Sequence, residues 1–101
     1  MGRPSIVAKR LKEARQKAGL SQKQLGIDAG IDPFSASARI NQYERGKHMP
    51  DLLTLTRLAT VMQVPVPYLY CQDADLADLI VKFAAAGKAE RRRLLDCAAD
   101  G

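Results

Sequence analysis

The chain has 101 residues, 47% hydrophobic and 27% charged, with a formal net charge of +5 and a pI near 9.5. That length supplies one core, hiding roughly 60–70% of the surface an unfolded chain exposes, and excludes large multidomain architectures. The apolar runs are far shorter than the roughly 20 residues of a membrane span, and "MGRPSIVAKR" lacks the apolar stretch of a signal peptide, so a cytoplasmic protein without membrane contact is expected.

Two cysteines, Cys71 and Cys97, lie far apart in a chain whose one histidine is His48. No Cys-x-x-Cys motif or metal-ligand spacing arises, so no metal and no cofactor are expected, and Cys97, among Leu94, Leu95 and Ala98, reads as ordinary packing. The charge is unevenly spread. Residues 1 to 49 carry ten basic side chains, Arg3 among them, and four acidic ones, a balance of +6; residues 50 to 101 carry six and seven, a balance of −1. A basic half suits a polyanionic partner, and it also suits a solvated lysine-rich helix face.

In chain order, "SIVAKRLKEARQKAG" spaces Ile6, Val7, Leu11, Ala14 and Ala18 as a helix does, with Ser5 as N-cap and Gly19 as terminator. "LSQKQLGIDAG" follows as a second helix, where Ser21 and Gln24 have capping-box spacing, Leu25 and Ala29 point inward, and Gly30 ends the element. Asp32-Pro33 breaks the pattern, because the residue before a proline is pushed out of the helical region. A third helix, about 35–45, starts at Ser35 or Ser37 as cap and ends at Gly46. A fourth opens at Pro50-Asp51 with Leu52, Leu55, Leu58, Ala59 and Met62 on one stripe. Pro65 and Pro67 bracket a turn into "PYLYC", a brief fifth helix. The tail reads as two more helices parted near Gly87-Lys88, striped by Leu76, Leu79, Ile80 and Phe83 and by Leu94, Leu95 and Ala98. With no alternating strand pattern, the expected class is all-α.

These features in this order resemble the Cro and phage-repressor (lambda-repressor-like) type of helix-turn-helix DNA-binding domain. The residues that carry the likeness are "LKEARQKAGLSQKQLG", "YERGKHMP" and "LTRLATVMQV", and it covers about residues 6 to 70. The resemblance implies a five-helix DNA-binding domain over 1–72 with the third helix in the major groove, a docking geometry known from members of that family; the two additional C-terminal helices over 73–101 lie beyond the likeness and either pack on their own domain or meet a second chain as a dimer surface. One departure stands out: between Gly30 and Glu44 the chain is about three residues longer than the family spacing, and the surplus falls in "IDPFSAS". That places Asp32, Pro33 and Phe34 in a lengthened turn, where Phe34 reads as a plug in preference to an exposed apolar contact.

At about 100° per residue, Ala36, Ile40 and Tyr43 share one side of the third helix and face the core. Ser35, Ala38, Asn41, Gln42 and Arg45 fall opposite, with Ser37 and Arg39 on the flanks. This polar, uncluttered face suits base reading, since Asn and Gln pair with adenine N6 and N7, Arg with guanine O6 and N7, and Ala with a thymine methyl. The expected base-reading set is Ser37, Ala38, Arg39, Asn41 and Gln42, although Arg39 could equally meet a phosphate or only water. The Ser21-Gln22-Lys23 corner at the start of the second helix is a natural phosphate anchor, and the resemblance implies phosphate contact by Gln22 and, after the third helix, by Arg45 and Lys47, which completes the expected phosphate-binding set. The resemblance further pairs Arg15 with Glu44 and has Gln22 supporting the base-reading amides.

A catalytic serine at 35 or 37 needs a base and an orienting group, and His48 lies instead beside Arg45 and Lys47, so no enzymatic activity is expected. The expected function is that of a sequence-specific transcriptional regulator, a repressor, acting on double-stranded DNA with a palindromic operator as a homodimer, with no small-molecule ligand evident. The other reading is an antitoxin-type or protein-interaction module that holds a partner protein through the C-terminal helices. "AERRR" reads as a solvated helix start rather than a second DNA contact.

Overall fold

In a computed structural model, which describes residues 5–100, the chain forms seven helices: α1 (Ile6–Lys17), α2 (Gln22–Asp28), α3 (Ala36–Glu44), α4 (Leu52–Met62), α5 (Val66–Tyr70), α6 (Ala74–Ala85) and α7 (Lys88–Asp100). No strand occurs among the described residues, as the all-α expectation requires. Arg3 and the outer limits of the two expected segments, 1 and 101, lie outside the described residues.

Short polar side chains set most helix starts. The hydroxyl of Ser5 accepts from the Ala8 N–H at 3.1 Å, that of Ser21 from Gln24 at 3.0 Å, and the carboxylates of Asp51 and Asp73 accept from Thr54 at 2.8 Å and Leu76 at 3.0 Å. Each such cap contributes about 1 kcal/mol by satisfying an orphan N–H. The Thr54 N–H also holds the Asp51 carboxyl below the usual carboxylate range, with smaller help from the charges of Arg57 and Arg39. The capping box at α2 is only half made, because the Gln24 side chain donates to Asp28 at 2.6 Å instead of turning back. At α3, Ser35 occupies the cap position without making a cap bond. Its backbone is already near-helical, φ −112° and ψ −3°, rather than extended as at Ser5 and Ser21, so its hydroxyl donates backwards to the Asp32 carbonyl at 3.4 Å.

The first five helices share one core, built on Val7, Leu11, Leu25, Ile40, Leu55, Leu58 and Leu69, all essentially inaccessible. Tyr43 lies in it, as its place on the wheel predicts. Leu52 does not: it is 67% exposed, and the buried residue at that end of α4 is Pro50. In α6 the inward stripe is Ala77, with Ile80 and Val81 packed on the core, while Leu76 and Leu79 remain about half exposed. The small Ala77 lets this face seat closely, so the larger leucines are left on the outer side. Helix α7 buries no residue; Leu94 is half-buried, and Leu95, Cys97 and Ala98 are exposed, contrary to the packing expected for Cys97. Arg91 ties α7 to the end of α6, donating to the carbonyls of Phe83 and Ala84 at 3.0 and 2.8 Å and lying over the Phe83 ring.

Arg10 is a charged residue buried in this core, only 4% exposed. Its guanidinium donates to the carbonyls of Cys71 and Gln72 at 2.8 and 3.0 Å and to Glu13 at 2.7 Å, and it lies over the Tyr68 ring. Burial is tolerable because the charge is paired and its donors are used. Arg10 therefore fastens α1 to the end of α5 and contributes nothing to the basic surface.

Candidate nucleic-acid interface

The interface grows from the contact between α2 and α3. Gly26 of α2 faces Ala36 of α3 so closely that a Cβ on Gly26 would lie 2.7 Å from the Ala36 Cβ and 3.1 Å from its Cα and carbonyl oxygen. Two minimal side chains at the crossing let the helices touch through backbone, which fixes the distance between the residues each presents outward. The connecting segment is held at both ends. At its start the Ile31 N–H reaches the Gly26 carbonyl at 2.9 Å around a left-handed Gly30, φ 92°. At its end Ala36 is fully buried.

The other end of α3 is anchored by charge. Arg15 of α1 grips Glu44 with two donors, Nε at 2.5 Å and a terminal nitrogen at 3.1 Å, and gives a third to the Leu20 carbonyl at 2.9 Å. The Glu44 side chain is 3% exposed and that of Arg15 13%. Gln22 of α2 adds its amide nitrogen to the same carboxylate at 3.1 Å and to Asn41 Oδ1 at 3.3 Å. This chain has a direction. A carboxylate only accepts, so Gln22 must present its NH2 to Glu44; the same NH2 then meets Asn41, which must answer with its carbonyl oxygen. The Asn41 NH2 is left as the outward donor.

Beyond Asn41, the outer face of α3 is open. Ser37, Ala38 and Arg39 are exposed and Gln42 is half-buried. Arg39 lies on the flank toward α4, near enough for its charge to act on Asp51. The helix closes in a Schellman turn: Gly46, φ 72°, donates to the Tyr43 carbonyl at 3.1 Å and Lys47 to that of Gln42 at 3.0 Å. That turn carries Arg45 and Lys47, both exposed, past the helix end. Ser21 and Lys23 are exposed at the start of α2, beside the half-buried Gln22.

Among the described residues, Lys23, Arg39, Arg45 and Lys47 make no ion pair, whereas Lys82, Arg92 and Arg93 each pair within their own helix, with Asp78, Asp96 and Glu90. Cations without an ion-pair partner thus surround α3; in the tail Lys88 and Arg91 likewise make no ion pair, and Arg91 is held instead on the carbonyls of Phe83 and Ala84.

A profile of the helix-turn-helix family matches residues 11–69, more than half of the chain. The chain belongs to this family of regulators, in its Cro and phage-repressor-like form. Its helix-turn-helix resembles the HTH-type transcriptional regulator ImmR of Bacillus subtilis (strain 168), with 39% identity over 67 residues covering 66% of this chain and 50% of the relative. The chain spans about half the length of that curated relative. The crystal structure of transcriptional regulator BswR is similar throughout, at 48% identity and a TM-score of 0.89, covering 93% of each chain.

Within the helix-turn-helix, the structure brings Arg15, Gln22, Asn41 and Glu44 into one hydrogen-bonded group and leaves Ser21, Lys23, Ser37, Ala38, Arg39, Arg45 and Lys47 on the surface around it. Three further residues matter that the motif reading passed over or misplaced. Arg10 sits three residues after Val7 and four before Ala14, so the buried stripe already ran through it. Gly26 carried no signal beyond being a glycine inside a helical pattern, which hints at close backbone approach. Phe34 is not a plug: it is 99% exposed, while Ile31 and Ala36 on either side of the turn are buried.

Proposed function

We propose that this helix-turn-helix protein is a sequence-specific DNA-binding transcriptional repressor that places α3 in the major groove. The observation that carries this reading is the outward face of α3, with Asn41 oriented through Gln22 and Glu44 and four unpaired cations around it. Asn41, Gln42, Arg39, Ala38 and Ser37 form the base-reading set, and Ser21, Gln22, Lys23, Arg45 and Lys47 the phosphate set. With its carbonyl held by Gln22, Asn41 offers donors, which fit the acceptor edges N7 and O6 of guanine, N7 of adenine or O4 of thymine. No catalytic step belongs to this role.

One reading helix covers only a few base pairs, so we assign the protein a two-fold homodimer on a palindromic operator whose half-sites lie roughly 34 Å apart. The exposed Leu76 and Leu79 of α6 and Leu95 of α7 are the surface assigned to the second copy. The unit that reads DNA is assigned to residues 1–72 and the dimerising unit to 73–101.

The test is a selection from random duplexes with the purified protein, followed by binding across a salt series. Enrichment of a palindrome, bound with an affinity that falls steeply as salt rises, supports the reading. A protein that needs a second polypeptide before any duplex binds would favour the antitoxin-type alternative. Two substitutions then separate the roles. Gln42→Ala should reduce discrimination between operator and random DNA by about 1–3 kcal/mol with an unchanged melting curve, and full retained discrimination would remove Gln42 from the reading surface. Lys47→Ala should weaken operator and random DNA alike and flatten the salt slope by about one; a loss confined to the operator would refute its phosphate role.

A further inference from the structure

Phe34 is the most exposed large apolar side chain of the described residues, at 99%, and its position is built rather than accidental. Asp32, Pro33, Phe34 and Ser35 form a β-turn closed by the Ser35 N–H on the Asp32 carbonyl at 3.0 Å. Asp at the first position and Pro at the second are favoured there, and the Pro ring presets the backbone. Ile31 and Ala36, buried on either side, clamp the turn to the body. Phe34 thus stands at the tip of a short, pinned loop, with its ring available to something outside the chain.

Its place relative to α3 says what that is. The Arg39 N–H bonds the Ser35 carbonyl at 2.9 Å, and Ser35 is near-helical, so the winding of α3 begins in this turn. Steps of four, three and four residues then run Phe34, Ala38, Asn41, Arg45: Ala38 and Asn41 lie on the outer face of α3, Arg45 at its C-cap, and Phe34 in the turn just ahead of its first residue. Ala38 and Arg45 are exposed, Asn41 is the oriented amide, and Ser35 and Ser37 beside Phe34 are small. A ring at the head of a polar reading stripe meets one apolar group on the major-groove edge of a base pair, the C5 methyl of thymine.

We propose that Phe34 is a specificity-determining residue that packs on a thymine methyl in each half-site, just beyond the bases reached by Ala38 and Asn41. This rests on the reading that α3 enters the major groove. The lengthened turn then extends the reading head by one apolar contact.

The test uses the full chain and its selected operator, with each thymine replaced singly by deoxyuridine, which removes only the methyl. In the wild type one replacement per half-site should weaken binding about tenfold, equivalent to about 1.4 kcal/mol. Phe34→Ala should lose a similar factor on the thymine operator, become indifferent to uracil at that position, and keep its affinity for random DNA and its thermal midpoint. Phe34→Leu, still apolar, should retain part of the thymine preference. An unchanged operator affinity in Phe34→Ala, a uracil effect that survives the substitution, or an equal loss on random DNA each overturns the inference while leaving the DNA-binding function in place. Selection that enriches no duplex overturns both.

Discussion

Glu44→Ala is expected to be among the most damaging single substitutions, costing about 3–5 kcal/mol of folding stability because it strands a nearly buried guanidinium. Arg15 and Glu44 are 13% and 3% exposed and meet through two hydrogen bonds, so little solvent can take over when one partner is removed. For a domain of this size about 1 kcal/mol corresponds to roughly 4–8 °C, so the thermal midpoint should fall by more than about 12 °C. A fall of only a degree or two would mean that the pair is not structural. The pair also has a second consequence, separable from the first. Glu44 fixes the Gln22 amide, and Gln22 fixes that of Asn41. Glu44→Gln, which has the same shape but can donate as well as accept, should free both amides to turn and reduce base discrimination beyond any loss of stability. The double replacement Arg15→Met with Glu44→Leu should recover most of the stability, since apolar side chains of similar volume often replace a buried pair without loss, yet recover none of the discrimination. Recovery of both would break the proposed link from ion pair to base reading.

Gly26→Val is expected to cost about 3 kcal/mol or more, read from urea unfolding as a lower midpoint with an unchanged slope. Even its Cβ would enter at 2.7 Å from the Ala36 Cβ and 3.1 Å from backbone atoms of α3, and backbone yields only if the whole helix moves. Gly26→Ala sets two effects against each other. Overpacking costs about 1–3 kcal/mol, while replacing a helical glycine regains up to about 1 kcal/mol, leaving a net loss of about 1 kcal/mol. Ala36→Gly in the Gly26→Ala background should return part of that loss, because it removes the nearest of the three close atoms but not the other two. Binding should suffer more than stability does. Gln22 and Asn41 stand on the two helices that the new side chain pries apart, and a contact already at 3.3 Å has no slack. If Gly26→Val folds and binds as the wild type does, the close crossing is not what positions the reading head.

What could be read from the chain alone was local. Ser5, Ser21 and Asp51 cap helices through bonds made within three residues, and Gly46 turns the end of α3 through bonds made within five. Such short-range chemistry leaves its full record in adjacent letters. The same holds for the inward triplet Ala36, Ile40 and Tyr43, because helical geometry assigns a face without knowledge of the neighbour. Where the reading went astray, the deciding partner was distant in sequence or simply lacking. Leu52 and Leu76 have the spacing of core residues, but whether a helix face is covered depends on what lies across from it. Phe34 has the look of a plug for the lengthened turn, but nothing covers its ring, which is 99% exposed.

The helices, their order, the basic half and the polar face of α3 are written in the letters of the chain, since each follows from composition, propensity, capping or periodicity over a few residues. Which cations are free, which amide is oriented and which apolar residues are left outside follow only from how the helices pack. Arg10 and Arg39 are the same residue type in the same basic half, yet one is buried against carbonyls some 60 positions away and the other stands in solvent on α3. A side chain's role depends on the desolvation and the partners it meets in space, and in a chain folded on itself those partners come from helices far apart in the sequence.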